Sequence, residues 1–324
     1  MNIIIMQGPK SSAIEQRDMP QITEDQVLIR LKYVGVCRSE HDDWLVAQKG
    51  QTFGHEPMGI IAQVGNHVTE FSVGDRVSGL WGGAPNIGGM AQYQVAHPKK
   101  DTIIKLPEQV CSEDAILEPL ACLISAVSKV RPILPGKKIC VVGCGYMGCG
   151  TIGLLCLKGY QVVAVDIRSS CLEDAKKYGA AECYTPEQAL KQYGQDGFEV
   201  VMEWGETNDS LNTAINLTKI CGQLCIGAYH TGGKRLIDMQ QLNFKAIECL
   251  STHPREAQLL RECAYQAVEL LASHRWNFQK IPTMIYPMNQ FDLAHQQLET
   301  KYGHHMKALI AMEMVDGEPY LING

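Results

Sequence analysis

Two hydrophobic rhythms divide the chain. Over residues 1–105 the apolar positions come in short runs broken by Gly, Pro and Asp: Ile3-Ile4-Ile5-Met6, then the stretch 26–34, which alternates imperfectly with period two, then 58–64, 76–80 after the Gly74-Asp75 turn, and 90–95. Runs of this length and spacing predict strands of a compact β-barrel-like half. Near Ser112-Glu113-Asp114-Ala115 the rhythm changes. A serine ahead of acidic residues opens a helix over 115–130, which stops at Pro132 and the Pro135-Gly136 break. Thereafter strand and helix patterns alternate, with strands expected at 137–142, 161–165, 198–204, 222–227 and 246–250. That is the pattern of a doubly wound sheet of about six strands. After His253-Pro254 a helix over 255–273 leads back to β-type segments at 284–288 and 307–312, which complete the first domain. The expected class is α/β, with a β-rich domain over 1–117 and 256–324 and a nucleotide-binding domain over 118–255.

The glycines sharpen the second half. Strand 137–142 ends at Gly143-Cys144-Gly145-Tyr146-Met147-Gly148, a helix follows, and the next strand closes on Asp166, eighteen residues past Gly148. Strand, glycine turn, helix, strand and terminal acid in register make a dinucleotide fingerprint, where a lone glycine motif would not. Gly143 permits the tight turn, Gly145 lets backbone N–H groups approach a pyrophosphate, and Gly148 allows close packing of helix on strand. Asp166 accepts hydrogen bonds from a ribose diol and repels a 2′-phosphate, which favours NAD over NADP; Arg168 keeps NADP open. Gly227-Ala228-Tyr229-His230 follows a strand end and is expected near the nicotinamide, where His230 reads equally as a cofactor contact or a solvated loop histidine.

Composition narrows the partners. The 324 residues, 45% hydrophobic and 20% charged, exceed the usual single core and suit two domains. A net charge of −6 offers no basic footprint for nucleic acid or an anionic membrane. No run approaches a membrane span, and the amino terminus lacks the basic flank of a signal peptide. The 13 cysteines include no Cys-x-x-Cys pair, which points to a reducing compartment, by default the cytoplasm.

The remaining chemistry is in Gly35-Val36-Cys37-Arg38-Ser39-Glu40 and Thr52-Phe53-Gly54-His55-Glu56-Pro57. Cys37 and His55 carry donors suited to zinc, and a carboxylate, Glu56 or Glu118, completes a three-ligand catalytic set with one open position.

With Gly59, Gly65, Val68 and Gly74-Asp75-Arg76-Val77, this pattern resembles the zinc-containing medium-chain alcohol and polyol dehydrogenases, in the sorbitol- and threonine-dehydrogenase-like branch. The resemblance covers nearly the whole chain. It implies a GroES-like β-rich catalytic domain and a Rossmann nucleotide domain, NAD as cofactor, and one catalytic zinc per subunit. It also implies a small-molecule secondary alcohol oxidised to a ketone, zinc taking the substrate oxygen and nicotinamide the hydride. Cys37, His55, Glu56 and Glu118 carry over as metal-site residues, Ser39 as the proton relay, Glu40 as the carboxylate that orients His55, and Arg38 as a contact of the cofactor pyrophosphate. Gly143, Gly145, Tyr146, Met147, Gly148, Asp166, Arg168 and Gly227 complete the cofactor set. A homodimer or homotetramer, joined through the edge near 246–250, is expected.

The chain also departs from the family. The structural-zinc lobe is absent, since 78–89 is short and holds no cysteine. The family's relay histidine, four to five residues beyond the first ligand, is matched only by His41, directly after Glu40, which implies a relay role for His41 in an unusual pocket. Cys122 replaces Glu118 only if the alignment slips. Trp44, Trp81 and Pro85-Asn86-Ile87 either line the substrate cleft or pack the core. With Glu40, Asp42 and Asp43 nearby, the first option favours a polyhydroxylated substrate. The competing readings are a zinc-free quinone-reductase-like enzyme and a non-catalytic NAD(H)-binding protein.

Overall fold

The structure is a computed structural model that describes residues 1–81, 89–194, 197–300 and 305–324, with only the backbone of Glu299 and Thr300. Pro85-Asn86-Ile87 therefore lies outside the described residues. The chain forms two compact units, one of Met1–Pro119, Ala264–Ala272 and Gln279–Gly324, the other of Leu120–Cys263 and Ser273–Phe278.

The first unit begins with the hairpin β1 (Asn2–Gly8) and β2 (Ser11–Gln16). It continues through β3 (Val27–Gly35), the short helix α1 (His41–Leu45), β4 (Pro57–Val64), β5 (Arg76–Leu80), β6 (Tyr93–Ala96) and β7 (Thr102–Lys105). Helix α2 (Leu117–Ser128) leads into the second unit, which holds β8 (Lys138–Val142), α3 (Tyr146–Leu157), β9 (Gln161–Val165), α4 (Ser169–Lys177), β10 (Glu182–Tyr184), α5 (Pro186–Tyr193) and β11 (Phe198–Glu203). It goes on through α6 (Asn208–Leu217), β12 (Thr218–Ile226), α7 (Met239–Phe244) and β13 (Glu248–Ser251). Helix α8 (Ala257–Ala272) returns the chain to the first unit, which closes with β14 (Thr283–Pro287), α9 (Phe291–Thr300), β15 (Lys307–Ala311) and β16 (Tyr320–Ile322).

In the first unit eight strands share one sheet, ordered β16-β14-β15-β3-β4-β5-β7 with β6 on β3. The register sets Val34 opposite Pro57 and Leu309 opposite Gly35, so the end of β3, the start of β4 and β15 meet at one corner. Its core gathers Val27, Ile29, Leu31, Val77, Tyr286, Phe291 and Ile310.

In the second unit six strands run parallel in the order β10-β9-β8-β11-β12-β13. Both faces are covered, which is why Ile139-Cys140-Val141-Val142 and Val162-Val163-Ala164-Val165 read as unbroken buried apolar runs. The order reverses between β8 and β11, the crevice where such sheets bind their ligands. Capping boxes at Thr185/Gln188 and Thr207/Ser210 start α5 and α6.

The sequence reading did not anticipate β2, β7, β10, β16 or α9. These elements are short or weakly periodic, and pairing supplies what pattern does not: Ser11–Gln16 is extended because β1 hydrogen-bonds along it.

Candidate active site

At the strand corner, ligand atoms of Cys37, His55 and Glu56 all lie within 4.8 Å of one another. Cys37 follows β3 in an extended conformation and precedes a single 3-10 turn, Arg38–Glu40. That turn sends the Glu40 carboxylate back, where its Oε1 accepts from Gly54 N at 2.7 Å and meets His55 Nδ1 at 2.8 Å. Gly54 has φ of 103°, a left-handed conformation open to glycine, so the chain can turn sharply before the histidine. With Nδ1 held by Glu40, the lone pair available to a cation is on Nε2.

Glu56 is buried and paired with an equally buried cation, Lys307 at the start of β15, which also donates to Val36 O at 3.3 Å. Gly35 makes room for this pair, since a Cβ there would fall 1.8 Å from Glu56 Oε2. Ser39 Oγ donates to Cys37 Sγ at 3.2 Å. Glu118 sits in the first turn of α2 outside the three-atom cluster, yet its charge acts on Lys307. Cys122, one turn further along α2, is also outside it.

Burial and neighbouring charges shift the titration of three of these groups. Burial, then the Glu56 carboxylate, pushes the Cys37 thiol up, against the smaller opposing pull of His55 and Lys307. Burial favours neutral His55, but its bonds to Cys37 and Glu40 outweigh that and raise it to about 12. Burial likewise opposes the charge on Lys307, and Glu56, Cys37 and Glu118 together raise it. Cys37, His55 and Lys307 are thus all biased toward holding a proton. A thiolate, an imidazole and a carboxylate are a fitting set for zinc.

His41 is buried away from solvent, its ring 5.4 Å from Trp44 and 6.0 Å from His295. Trp44 is fully buried, with Nε1 donating to Asp292 Oδ1 at 2.7 Å, and Trp81 is 4% exposed. Both tryptophans are therefore core, and the aromatic part of the polyol argument falls away. Asp42 is half-buried, and Arg38 and Asp43 are exposed.

In the second unit, Gly143 has φ of 89° and the turn closes onto α3, whose N-cap is Gly145. A Cβ on Gly148 would meet Gly143 O at 1.9 Å, so this glycine is demanded by packing. A Cβ on Gly145 would stand in the open, with Arg168 Nη2 nearest at 3.9 Å. Packing does not require that glycine, and the space beside it leaves the helix N-terminus open to approach. Tyr146 and Met147 form the first turn of α3 beside it, the Tyr146 ring 5.0 Å from that of Phe278. Asp166 Oδ2 accepts from Cys144 N at 2.7 Å and Oδ1 from Arg168 N at 2.8 Å, with Arg168 Nε 3.5 Å away. Gly227 begins the loop after β12, its N–H donating to Glu203 O at 2.9 Å.

Residues 23–108 match the alcohol dehydrogenase GroES-like domain, and residues 147–273 match the zinc-binding dehydrogenase family. The chain belongs to the medium-chain alcohol and polyol dehydrogenases. Within that family, a probable D-xylulose reductase A from Aspergillus clavatus is 26% identical, covering 95% of each chain. L-idonate 5-dehydrogenase from Escherichia coli shares the fold with a TM-score of 0.80 at 18% identity, over 96% of this chain and 97% of that one. An alcohol dehydrogenase from Escherichia coli, solved with NADH, does so with a TM-score of 0.80 at 19% identity, over 96% and 99%. The two-domain α/β class, GroES-like plus Rossmann, and the assignment to an oxidoreductase stand as the sequence implied. No helix among the described residues is long and apolar enough to cross a membrane.

Sequence reasoning missed Lys307. Its signal was a lysine heading the otherwise apolar run Lys307-Ala308-Leu309-Ile310-Ala311, but nothing local said that it faced Glu56.

Proposed function

We propose that this dehydrogenase oxidises a polyol or sugar alcohol at a secondary hydroxyl, using one zinc per subunit and NAD. The observation that carries the reading is the meeting of Cys37, His55 and Glu56 within 4.8 Å, with His55 oriented by Glu40. These three residues would hold the zinc, with Glu118 as the reserve carboxylate. Bound there, zinc supplies Lewis-acid polarisation of the substrate oxygen. The chain's own groups do the rest. Glu40 fixes the His55 tautomer, Lys307 balances the charge of Glu56, and the Ser39 hydroxyl relays the alcohol proton onward to solvent, giving up its own hydrogen as it accepts.

Gly145 leaves the α3 N-terminus open to the pyrophosphate, with Arg38 as a further contact, and Asp166 accepts from the adenosine ribose. NAD is the preferred cofactor because a 2′-phosphate would meet the Asp166 carboxylate, whose charge Arg168 only partly offsets. The polyol class is supported by the named activities of the relatives. His41 is a packing residue in this reading, in place of the relay role considered for it from the sequence.

Two further assignments belong to the same proposal. The 13 cysteines, none of them in a disulfide, support a reducing compartment such as the cytoplasm. The outer strand β13 is the edge through which a dimer or tetramer would form.

The test is an NAD- and NADP-reduction screen over polyols, sugars, amino alcohols and simple alcohols with wild type and His55→Ala. Turnover of a polyol with NAD, lost in the variant, supports the reading. Quinone reduction unaffected by His55→Ala would replace it with the zinc-free reductase, and bound nucleotide without any hydride transfer would leave a non-catalytic binder.

A further inference from the structure

Two lysines among the described residues are buried, and they settle their charge in different ways. In the second unit the Lys245 ammonium donates to the carbonyls of Ile215 at 3.3 Å, Asn216 at 2.8 Å and Thr218 at 2.7 Å, at the carboxyl end of α6. A cation there completes a helix terminus and needs only carbonyl dipoles. Lys307 in the first unit donates to Val36 O at 3.3 Å and is ion-paired with the buried carboxylate of Glu56. Its counter-ion is therefore a member of the donor cluster.

Strand pairing puts it there. Leu309 stands opposite Gly35, and Val36 N donates to Ala308 O at 2.9 Å, which carries the pairing past the end of β3 toward Cys37. Glu56 arrives on the other side of β3. Gly35 N donates to Glu56 O at 2.9 Å, and the Glu56 carboxylate crosses Gly35 where a Cβ would fall 1.8 Å from Oε2. Backbone on both sides thus fixes the pair, whose side chains are 8% and 1% exposed and have no open solvent to swing into.

Glu56 is consequently shared between two uses. It is one of the three groups whose ligand atoms meet within 4.8 Å, and it also neutralises Lys307. The other two donors have neighbours of another kind. Cys37 Sγ has the neutral Ser39 hydroxyl at 3.2 Å, and His55 Nδ1 has the Glu40 carboxylate at 2.8 Å, which makes Nε2 a stronger base. An ammonium on a carboxylate draws off negative charge that a bound cation would otherwise use. The oxygen donor is weakened while sulfur and nitrogen keep their strength. Carboxylate oxygens suit magnesium, calcium and manganese, whereas thiolate and imidazole suit zinc. Weakening only the oxygen donor is a bias against the first group.

We propose that Lys307 is a specificity-determining residue for the metal: by holding part of the charge of Glu56, it tunes the corner toward zinc and against oxygen-seeking divalent cations such as manganese. The proposal rests on the metal reading of Cys37, His55 and Glu56 above. Lys307 acts through Glu56, so it is a positioning residue and not a catalytic one.

The test dialyses the full chain against buffers that fix free zinc or free manganese at a series of levels and measures the metal retained per subunit, for wild type, Lys307→Arg, Lys307→Gln and Lys307→Met. Wild type prefers zinc, and Lys307→Arg, which keeps the charge, holds that preference within about threefold. In Lys307→Gln manganese binds about tenfold more tightly and zinc about twofold, so the preference falls about fivefold. Lys307→Met moves the same way. Circular dichroism of each variant establishes that it is folded, and the Lys307→Gln amide, which can still donate to Val36 O, secures one neutral variant that folds. An unchanged preference in Lys307→Gln, or zinc and manganese weakened by the same factor, assigns the pair to structure alone and overturns the proposal. A preference lost equally in Lys307→Arg and Lys307→Gln also overturns it, because charge is then not the cause. A wild type that retains neither metal overturns the metal reading itself.

Discussion

In the corner where β3, β4 and β15 meet, chemistry is carried by charged side chains drawn from positions 37, 40, 55, 56 and 307. In the turn after β8 it is carried by side chains missing from residues within six positions of one another. The corner concentrates unlike charges in a buried space and holds them through ion pairing and hydrogen bonds. The turn offers backbone N–H groups, an open approach at Gly145 and one acid. The first kind of site depends on charge balance, the second on steric room. Substitutions should therefore fail in different ways in the two places.

The largest effect should come from Gly148→Val. Its Cβ would sit 1.9 Å from a backbone oxygen that cannot move without breaking the turn, so a loss of about 4 kcal/mol or more in stability is expected, read by thermal melting. Next is Lys307→Met, which leaves the Glu56 carboxylate buried and unpaired. Metal-free protein should lose about 3 kcal/mol, and added zinc should restore a larger part of the melting temperature than it adds to wild type. If zinc gives no such rescue, the corner is a structural ion pair and the comparison breaks. Glu40→Gln should leave the fold intact and lower zinc affinity about tenfold or more, by releasing the orientation of His55.

A pH effect of comparable size comes from His295. Neither of its ring nitrogens meets a partner among the described residues, and its ring is fully buried. Burial first, then the charges of His41 and Arg38, lowers it to about 3. Trp44, stacked on its ring, carries two further charged groups, Lys10, whose Nζ lies over the indole, and Asp292, which accepts from Nε1. A histidine lowered in the folded state stabilises above its unfolded value, and that stability is lost as pH falls from about 6.5 toward 3. The expected slope is about 1.4 kcal/mol per pH unit in that window, flattened in His295→Leu. The smallest effect on stability belongs to Gly145→Ala. Melting should shift by less than about 0.5 kcal/mol while dinucleotide affinity falls, the reverse of a packing glycine.

The two sites also differ in how far they were legible in the sequence. Everything in the turn is local: strand, glycines, helix and Asp166 follow one another within 30 positions, and the buried parallel strands announce themselves as apolar runs. At the corner, Cys37, His55 and Glu56 were readable through their match to a family pattern, and the pairing of β3 with β4 brings them together. Lys307 was not, because strand pairing rather than sequence proximity places it there. The same is true of His41, Trp44 and His295, whose stacking joins α1 to α9 and places Trp44, read from the sequence as either cleft or core, in the core. The bond between Glu203 and His230 was invisible for a related reason. It joins Glu203 to a loop residue 27 positions on, and only the hydrogen bonds show that His230 is held.

The central claim is that the Cys37, His55 and Glu56 cluster is a metal centre. Zinc content per subunit, measured on freshly purified wild type and Cys37→Ser, tests it most directly. About one zinc in wild type, largely lost in the folded variant, is the expected result for a single three-ligand site. Wild-type protein that turns over its alcohol without zinc, or a variant that keeps the full complement, would contradict it.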